Sequence, residues 1–270
     1  MDVLQRIVSL VPSNTEILFY LGLQDSVVGV TENCDFPEAA KAKDKMGTFG
    51  QPQLAKIIAQ APELVLVDRG LHKKIIEELH KCGVKVLAAA PATIEDVFSL
   101  ISEIGRLGGV AAKAKALVSS LQERVNQIRH KPLEVQPRVF RLMSVNPFIT
   151  PGPGAFQYDA LKIAGAQLMN IQAKAAYVQV AFEQIVEFDP EIIFFCGIEK
   201  GQRLPPKCTG CAARKPICHR TVDDIITGEW QQITAVQRGR VYPIPCHTIC
   251  RPGPRLIDGL EQLHNFYFKK

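Results

Sequence analysis

The stretch Arg6-Ile-Val-Ser-Leu-Val-Pro12, followed by Ser13-Asn-Thr-Glu16 and Ile17-Leu-Phe-Tyr-Leu21, decides the fold. A short apolar run closed by proline reads as a buried strand. Ser13 stands three residues ahead of Glu16 with an apolar run behind it. That spacing is the signature of a capping box and predicts a helix start. Gly22 ends the helix. Working outward, Val27-Val-Gly-Val30, Glu63-Leu-Val-Leu-Val67 and Lys85-Val-Leu-Ala88 read as further strands. A helix with Ile75, Ile76 and Leu79 on one face precedes the last of them. Strands alternating with helices imply a mainly parallel sheet.

From Gly109 to Lys131, Val110, Ala114, Leu117, Leu121, Val125 and Ile128 recur every three or four residues, which predicts the longest helix of the chain. At 1.5 Å per residue its roughly 22 residues reach about 33 Å, the width of a small domain. Pro132 and Pro137 stop it. The alternation then repeats in Arg138-Val-Phe-Arg-Leu-Met-Ser144, a helix near Ala155 to Ala164, Glu191-Ile-Ile-Phe-Phe195, Arg240-Val-Tyr-Pro-Ile244 and a final helix from about Leu256 to Phe266. The expected fold is α/β: two lobes, each with a mainly parallel central sheet and flanking helices, joined by one long backbone helix. The lobes are assigned to residues 1–108 and 132–270, the connecting helix to 109–131, and a Cys-rich insertion to about 200–221.

A 270-residue chain with 47% hydrophobic and 22% charged residues has the composition of a globular protein with two ordinary cores. Its net charge of +5 comes from scattered lysines and arginines without a basic run, which argues against nucleic acid as a partner. No apolar stretch approaches the ~18–20 residues that insertion in a membrane needs. The first residues, Met1-Asp2-Val3-Leu4-Gln5-Arg6, lack the features of a secretory leader, so the expectation is a cytoplasmic protein, or a periplasmic or lipid-anchored one if a leader has been removed. No nucleophile elbow, P-loop, zinc-protease helix or dinucleotide fingerprint occurs, which points away from an enzyme. Asp223 and Asp224 read as helix caps rather than paired acids. His72 and His80 read as solvated side chains, and Gly152-Pro-Gly154 as a turn bracing a loop.

Six of the eight cysteines fall after residue 195. Cys208-Thr-Gly-Cys211 and Cys218-His219 form a C-x2-C-x6-C-H run; Cys196 ends the preceding strand, and Cys246 and Cys250 follow the next. Thiolates at that spacing select soft or borderline metals. Cys196, Cys208, Cys211 and Cys218 would satisfy a [4Fe–4S] cluster, with Cys246 and Cys250 holding a second metal or closing the shell. Cys208, Cys211, Cys218 and His219 would instead make a zinc site. Three disulfides bracing the loop, or inert buried thiols, remain alternatives. Cys82, at a helix end, reads as structural.

Taken in order, Arg6-Ile-Val-Ser-Leu-Val-Pro-Ser-Asn-Thr-Glu16, Val28-Gly-Val30, Cys34-Asp-Phe-Pro37, Leu54 to Val67, Phe188-Asp-Pro-Glu-Ile-Ile193, Trp230 to Tyr242 and Arg251-Pro-Gly-Pro-Arg-Leu-Ile-Asp-Gly-Leu260 resemble the helical-backbone family of ABC-transporter substrate-binding proteins for cobalamin, haem and iron chelates. The cobalamin branch is the most similar. The resemblance covers the chain apart from about residues 200–221. It implies a ligand held in a cleft by loops at the strand ends, from Pro12, Asn14, Phe36, Phe49 and Asp68 in the first lobe and Pro147, Phe148, Tyr177, His247 and Arg251 in the second. Aromatics among these would suit the faces of a corrinoid or a similar metal chelate, although each also suits a core. The resemblance further implies an ABC permease as partner, engaged by an acidic residue on each lobe. Glu183 stands at that place in the second lobe, but Ala55 and then Lys56 occupy it in the first. The alternative function is a cytoplasmic iron–sulfur or other metallocluster protein on the same fold, uncoupled from a transporter.

Overall fold

Pro12, and not a Ser13 cap, starts the first helix. The computed structural model describes residues 4–131, 134–201 and 219–268, and in it β1 (Ile7–Ser9) runs into α1 (Pro12–Tyr20), whose N-cap is the extended Val11 with no side-chain cap bond. Proline at the first helical position has its φ already set and lacks an N–H that would have no partner there. The capping-box expectation is corrected accordingly: Ser13 and Glu16 lie inside the helix, both buried. Gly22, at φ +74°, takes the left-handed turn that leads out of it.

The chain divides into two compact units. The first holds residues 4–91 and 95–122, the second 92–94, 123–131, 134–201 and 219–268. In the first, β2 (Val27–Val30), β3 (Asp44–Lys45), β6 (Leu64–Asp68) and β7 (Val86–Ala89) join β1 in a parallel sheet of order β3-β2-β1-β6-β7. A short hairpin of β4 (Gly47–Thr48) and β5 (Gln51–Pro52) leads to α2 (Leu54–Ala59). In β1 and β6, residues of both parities are buried, the pattern of a parallel strand covered on both faces. Val8, Leu10, Met46, Ile57, Val65, Val67 and Leu79 form one core, the last from α3 (Lys73–Lys81). Helices α4 (Ile94–Leu107) and α5 (Ala111–Arg129) follow; the long-helix expectation is therefore met by α5, with Gly109 at φ +71° turning the chain between the two. They approach closely at Gly105, where an added Cβ would lie 2.2 Å from the Ala114 Cβ.

The division between units falls within α5. In the second unit, β8 (Val139–Leu142), β12 (Ile192–Cys196) and β13 (Val241–Ile244) make a parallel sheet with β12 central. A second sheet, not anticipated, is antiparallel: β9 (Ser144–Val145), β10 (Phe148–Pro151) and β11 (Tyr177–Gln179), with β10 central. Helices α6 (Phe156–Ile163), α7 (Phe182–Phe188), α8 (Thr234–Gln237), α9 (Cys246–Ile249) and α10 (Arg255–Phe268) complete it. Trp230 is the largest fully buried side chain and centres the core with Phe140, Leu142, Ile185, Ile193 and Phe195. Arg124, from the α5 part of this unit, donates to both Glu261 carboxylate oxygens and to Asp258 at 2.6–2.7 Å, tying α5 to α10. Asp224 accepts from the Thr221 N–H, in keeping with its reading as a cap.

Candidate functional site

Loops converge where parallel strands end, so the candidate residues follow strand C-termini. In the first unit Pro12 and Asn14 open α1 just beyond β1; Asn14 is buried and Pro12 half-buried. Asp68 is the last residue of β6, and its Oδ1 accepts from the N–H groups of Gly70 and Leu71. Phe36 and Phe49 are half-buried in the loops after β2 and β4.

His72, expected to be solvated, is 2% exposed and joins two of these residues. The Asp68 N–H donates to its Nδ1 at 3.0 Å, so Nε2 carries the proton and donates to the Phe49 carbonyl at 2.7 Å. The Phe49 ring meets the imidazole edge-on at 5.4 Å, and the Phe49 N–H donates to Asn33 Oδ1. The imidazole thus pins the Phe49 and Asp68 loops together. Only the spacing of His72 four residues beyond a strand-ending Asp hinted at this. Nearby, Cys34 is buried against the hydroxyls of Thr15 and Thr31; burial pushes its thiol up, against those hydrogen bonds.

In the second unit Pro147 is exposed, after a cis Asn146–Pro147 bond, and Phe148 opens β10. Phe148 packs edge-on to Trp230 at 5.6 Å and beside Phe182 at 5.9 Å, so part of its ring belongs to the core. Tyr177 is 51% exposed in β11, with the Gln157 amide 3.4 Å from its hydroxyl. Arg251 is half-buried beyond α9; the His247 side chain lies outside the described atoms. Glu183 is exposed in the first turn of α7, and Ala55 and Lys56 are exposed in the first turn of α2.

Of the candidate metal ligands, Cys208, Cys211 and Cys218 lie outside the described residues, as does the Cys246 side chain. Cys196 and Cys250 are brought together: their Sγ atoms stand 3.0 and 3.6 Å from one nitrogen of the buried Arg141 guanidinium. Among the described residues no group of three or more His, Cys, Asp or Glu could hold a metal ion. The iron–sulfur and zinc readings therefore find no support there.

The model of the periplasmic binding protein family matches residues 7–247, and the chain belongs to that family. It is 32% identical over 269 residues to the ABC transporter substrate-binding lipoprotein YvrC of Bacillus subtilis, covering 96% of this chain and 78% of that one. It is 25% identical over 262 residues to the vitamin B12-binding protein of Vibrio parahaemolyticus, covering 96% and 88%. The crystal structure of the periplasmic vitamin B12 binding protein BtuF of Vibrio cholerae matches with a TM-score of 0.77 at 22% identity over 98% of each chain, a likeness of fold. This membership overturns the cytoplasmic expectation, which rested on the first residues alone: the family is periplasmic and the Bacillus subtilis relative is a lipoprotein. The alternative of a cytoplasmic metallocluster protein falls with it.

Proposed function

We propose that this chain is the substrate-binding protein of an ABC transporter and that its ligand is a corrinoid or a closely related metal chelate. The observation that carries the reading is the match, along 96% of the chain, to a vitamin B12-binding protein. The site chemistry supports it. A corrin ring is large, flat and apolar on its faces, and its rim carries amides that need hydrogen-bond partners. Half-buried Phe36 and Phe49 in the first unit and the exposed Tyr177 in the second offer ring faces, and Asp68 and Asn14 in the first unit and Arg251 in the second offer polar groups. The proposed binding residues are Pro12, Asn14, Phe36, Phe49 and Asp68 of the first unit and Pro147, Phe148, Tyr177, His247 and Arg251 of the second. Glu183 is the proposed contact for a permease arginine, since charged rim pairs supply steering and register. The first unit, with Ala55 and Lys56 at the corresponding place, contributes no acid there.

The test is a fluorescence titration with cyanocobalamin, cobinamide, haemin and a ferric siderophore. Saturable quenching by the corrinoids, tenfold tighter than by the others, supports the reading. Saturable binding of haemin or siderophore alone would move the ligand to that class.

A further inference from the structure

Arg141 sits in the central part of β8 with 1% of its surface exposed, beside a cavity of about 10 Å³ that also borders Thr150 and Tyr158. A buried guanidinium is costly unless acceptors or an anion face it. Two sulfur atoms do: Cys196 Sγ, at the end of β12, and Cys250 Sγ, just beyond α9. Both approach the same Nη2, so the two thiols, 54 positions apart in sequence, share one donor. A cation at that distance favours the thiolate, the reactive form of cysteine. Cys196 is 6% exposed, whereas Cys250 is only half-buried and is the more accessible of the two.

We propose that Cys196 and Cys250 form a guanidinium-activated dithiol that closes to a disulfide by exchange with a small disulfide oxidant. The Cys250 thiolate attacks one sulfur of the oxidant and expels the other half as a thiolate. Cys196 then attacks the Cys250 sulfur of the mixed disulfide and expels the second thiolate. Two cysteine protons are released, and the oxidant gains the two electrons that the cysteines lose. The bond ties the end of β12 to the segment that carries Arg251. It suits the oxidising surroundings of an exported protein, and it does not depend on which ligand the protein binds.

The molecule carries its own controls, because Cys34 is buried away from any guanidinium contact among the described hydrogen bonds and Cys82 is exposed on a helix end. The experiment equilibrates the full chain in glutathione buffers of increasing oxidised fraction, quenches with an alkylating agent and maps peptides by mass spectrometry. The expected product is a Cys196–Cys250 linked peptide, with Cys34 and Cys82 recovered alkylated. In Cys250→Ser that peptide disappears while the near-ultraviolet circular dichroism of Trp230, in the core of the same unit, is unchanged, which shows that unit's fold intact. In the reduced protein at neutral pH, Cys250 should be alkylated faster than Cys82, although Cys82 is the more exposed of the two. Recovery of both cysteines as alkylated thiols in the most oxidising buffer overturns the proposal. So does linkage of either one to another cysteine, or protection of both that only a metal chelator relieves.

Discussion

Gly259→Ala tests how the second unit positions the segment around His247 and Arg251. An added Cβ at Gly259 in α10 would lie 1.9 Å from the Thr248 carbonyl oxygen and 2.7 Å from its carbon, both backbone atoms of α9. Ordinary contact needs roughly 3.5 Å, so α9 and α10 must separate by about 1.5 Å. Alanine gains about 1 kcal/mol over glycine as a helix former. Overpacking costs about 1–3 kcal/mol, and a backbone obstacle that cannot rotate aside puts this site at or above the upper end. The net expectation is a loss of about 2 kcal/mol, or a fall in Tm of about 4–8 °C for a chain of this size. Differential scanning calorimetry of Gly259→Ala beside Gly228→Ala, where nothing lies within 4 Å of the added Cβ, reads the difference. A Tm for Gly259→Ala equal to or above the parent would refute the close approach, since only the propensity gain would then remain.

Other expectations follow from the same contacts. Trp230→Ala empties the centre of the second core and removes the edge-on partner of Phe148 and Phe182, so it should cost about 3–5 kcal/mol in chemical denaturation. Asp189 feels burial that would raise its carboxyl, but the Thr234 N–H and hydroxyl and the Arg138 guanidinium outweigh it and hold the group below its ordinary value near 3.8. A carboxyl held low adds stability above that value and loses it as pH falls through the folded value. Asp189→Asn should therefore lower Tm at pH 7, and the gap to the parent should narrow as pH falls below the ordinary value near 3.8 and through the lowered folded value; a gap that stays constant throughout acid titration would contradict this. His72→Ala should weaken ligand binding while leaving Tyr177 and the second unit's denaturation unchanged, because it releases Phe49 and Asp68 only. Glu183→Lys should leave ligand affinity unaltered and reduce transport by reconstituted permease, a result that normal transport would contradict.

Much of this fold was legible in the sequence because parallel strands announce themselves. Ile7-Val8, Leu64-Val-Leu-Val67 and Ile192 to Cys196 are continuous apolar runs within their strands, and burial on both faces is what produces such runs. The β9-β10-β11 sheet escaped notice because its strands are short and Pro147 and Pro151 interrupt the alternation that marks antiparallel pairs. Ser13 misled as a cap because Pro12 before it is the stronger start signal. Aromatic residues gave a mixed answer for a physical reason: Phe148 serves the core through Trp230 and still shows part of its ring, whereas Tyr177 stands half out of the surface. His72 was misjudged because spacing along a charged helix says nothing of the Phe49 carbonyl, 23 positions away, that fixes its ring. Cys196 and Cys250 stand out in the sequence only as candidate metal ligands, and Arg141, which lies between Phe140 and Leu142 on a buried strand, does not stand out at all. Sequence alone gives no sign that a charged residue inside such a strand will face two thiols.

Isothermal titration calorimetry of the protein with cyanocobalamin, run beside Tyr177→Ala, decides whether this chain binds a corrinoid. Saturable one-to-one binding at micromolar or tighter Kd is expected for the parent, weakened about 5- to 30-fold in the variant by loss of roughly 1–2 kcal/mol of ring contact. Absence of saturable heat with corrinoids and with haemin, at ligand concentrations of roughly 100 μM, would contradict it.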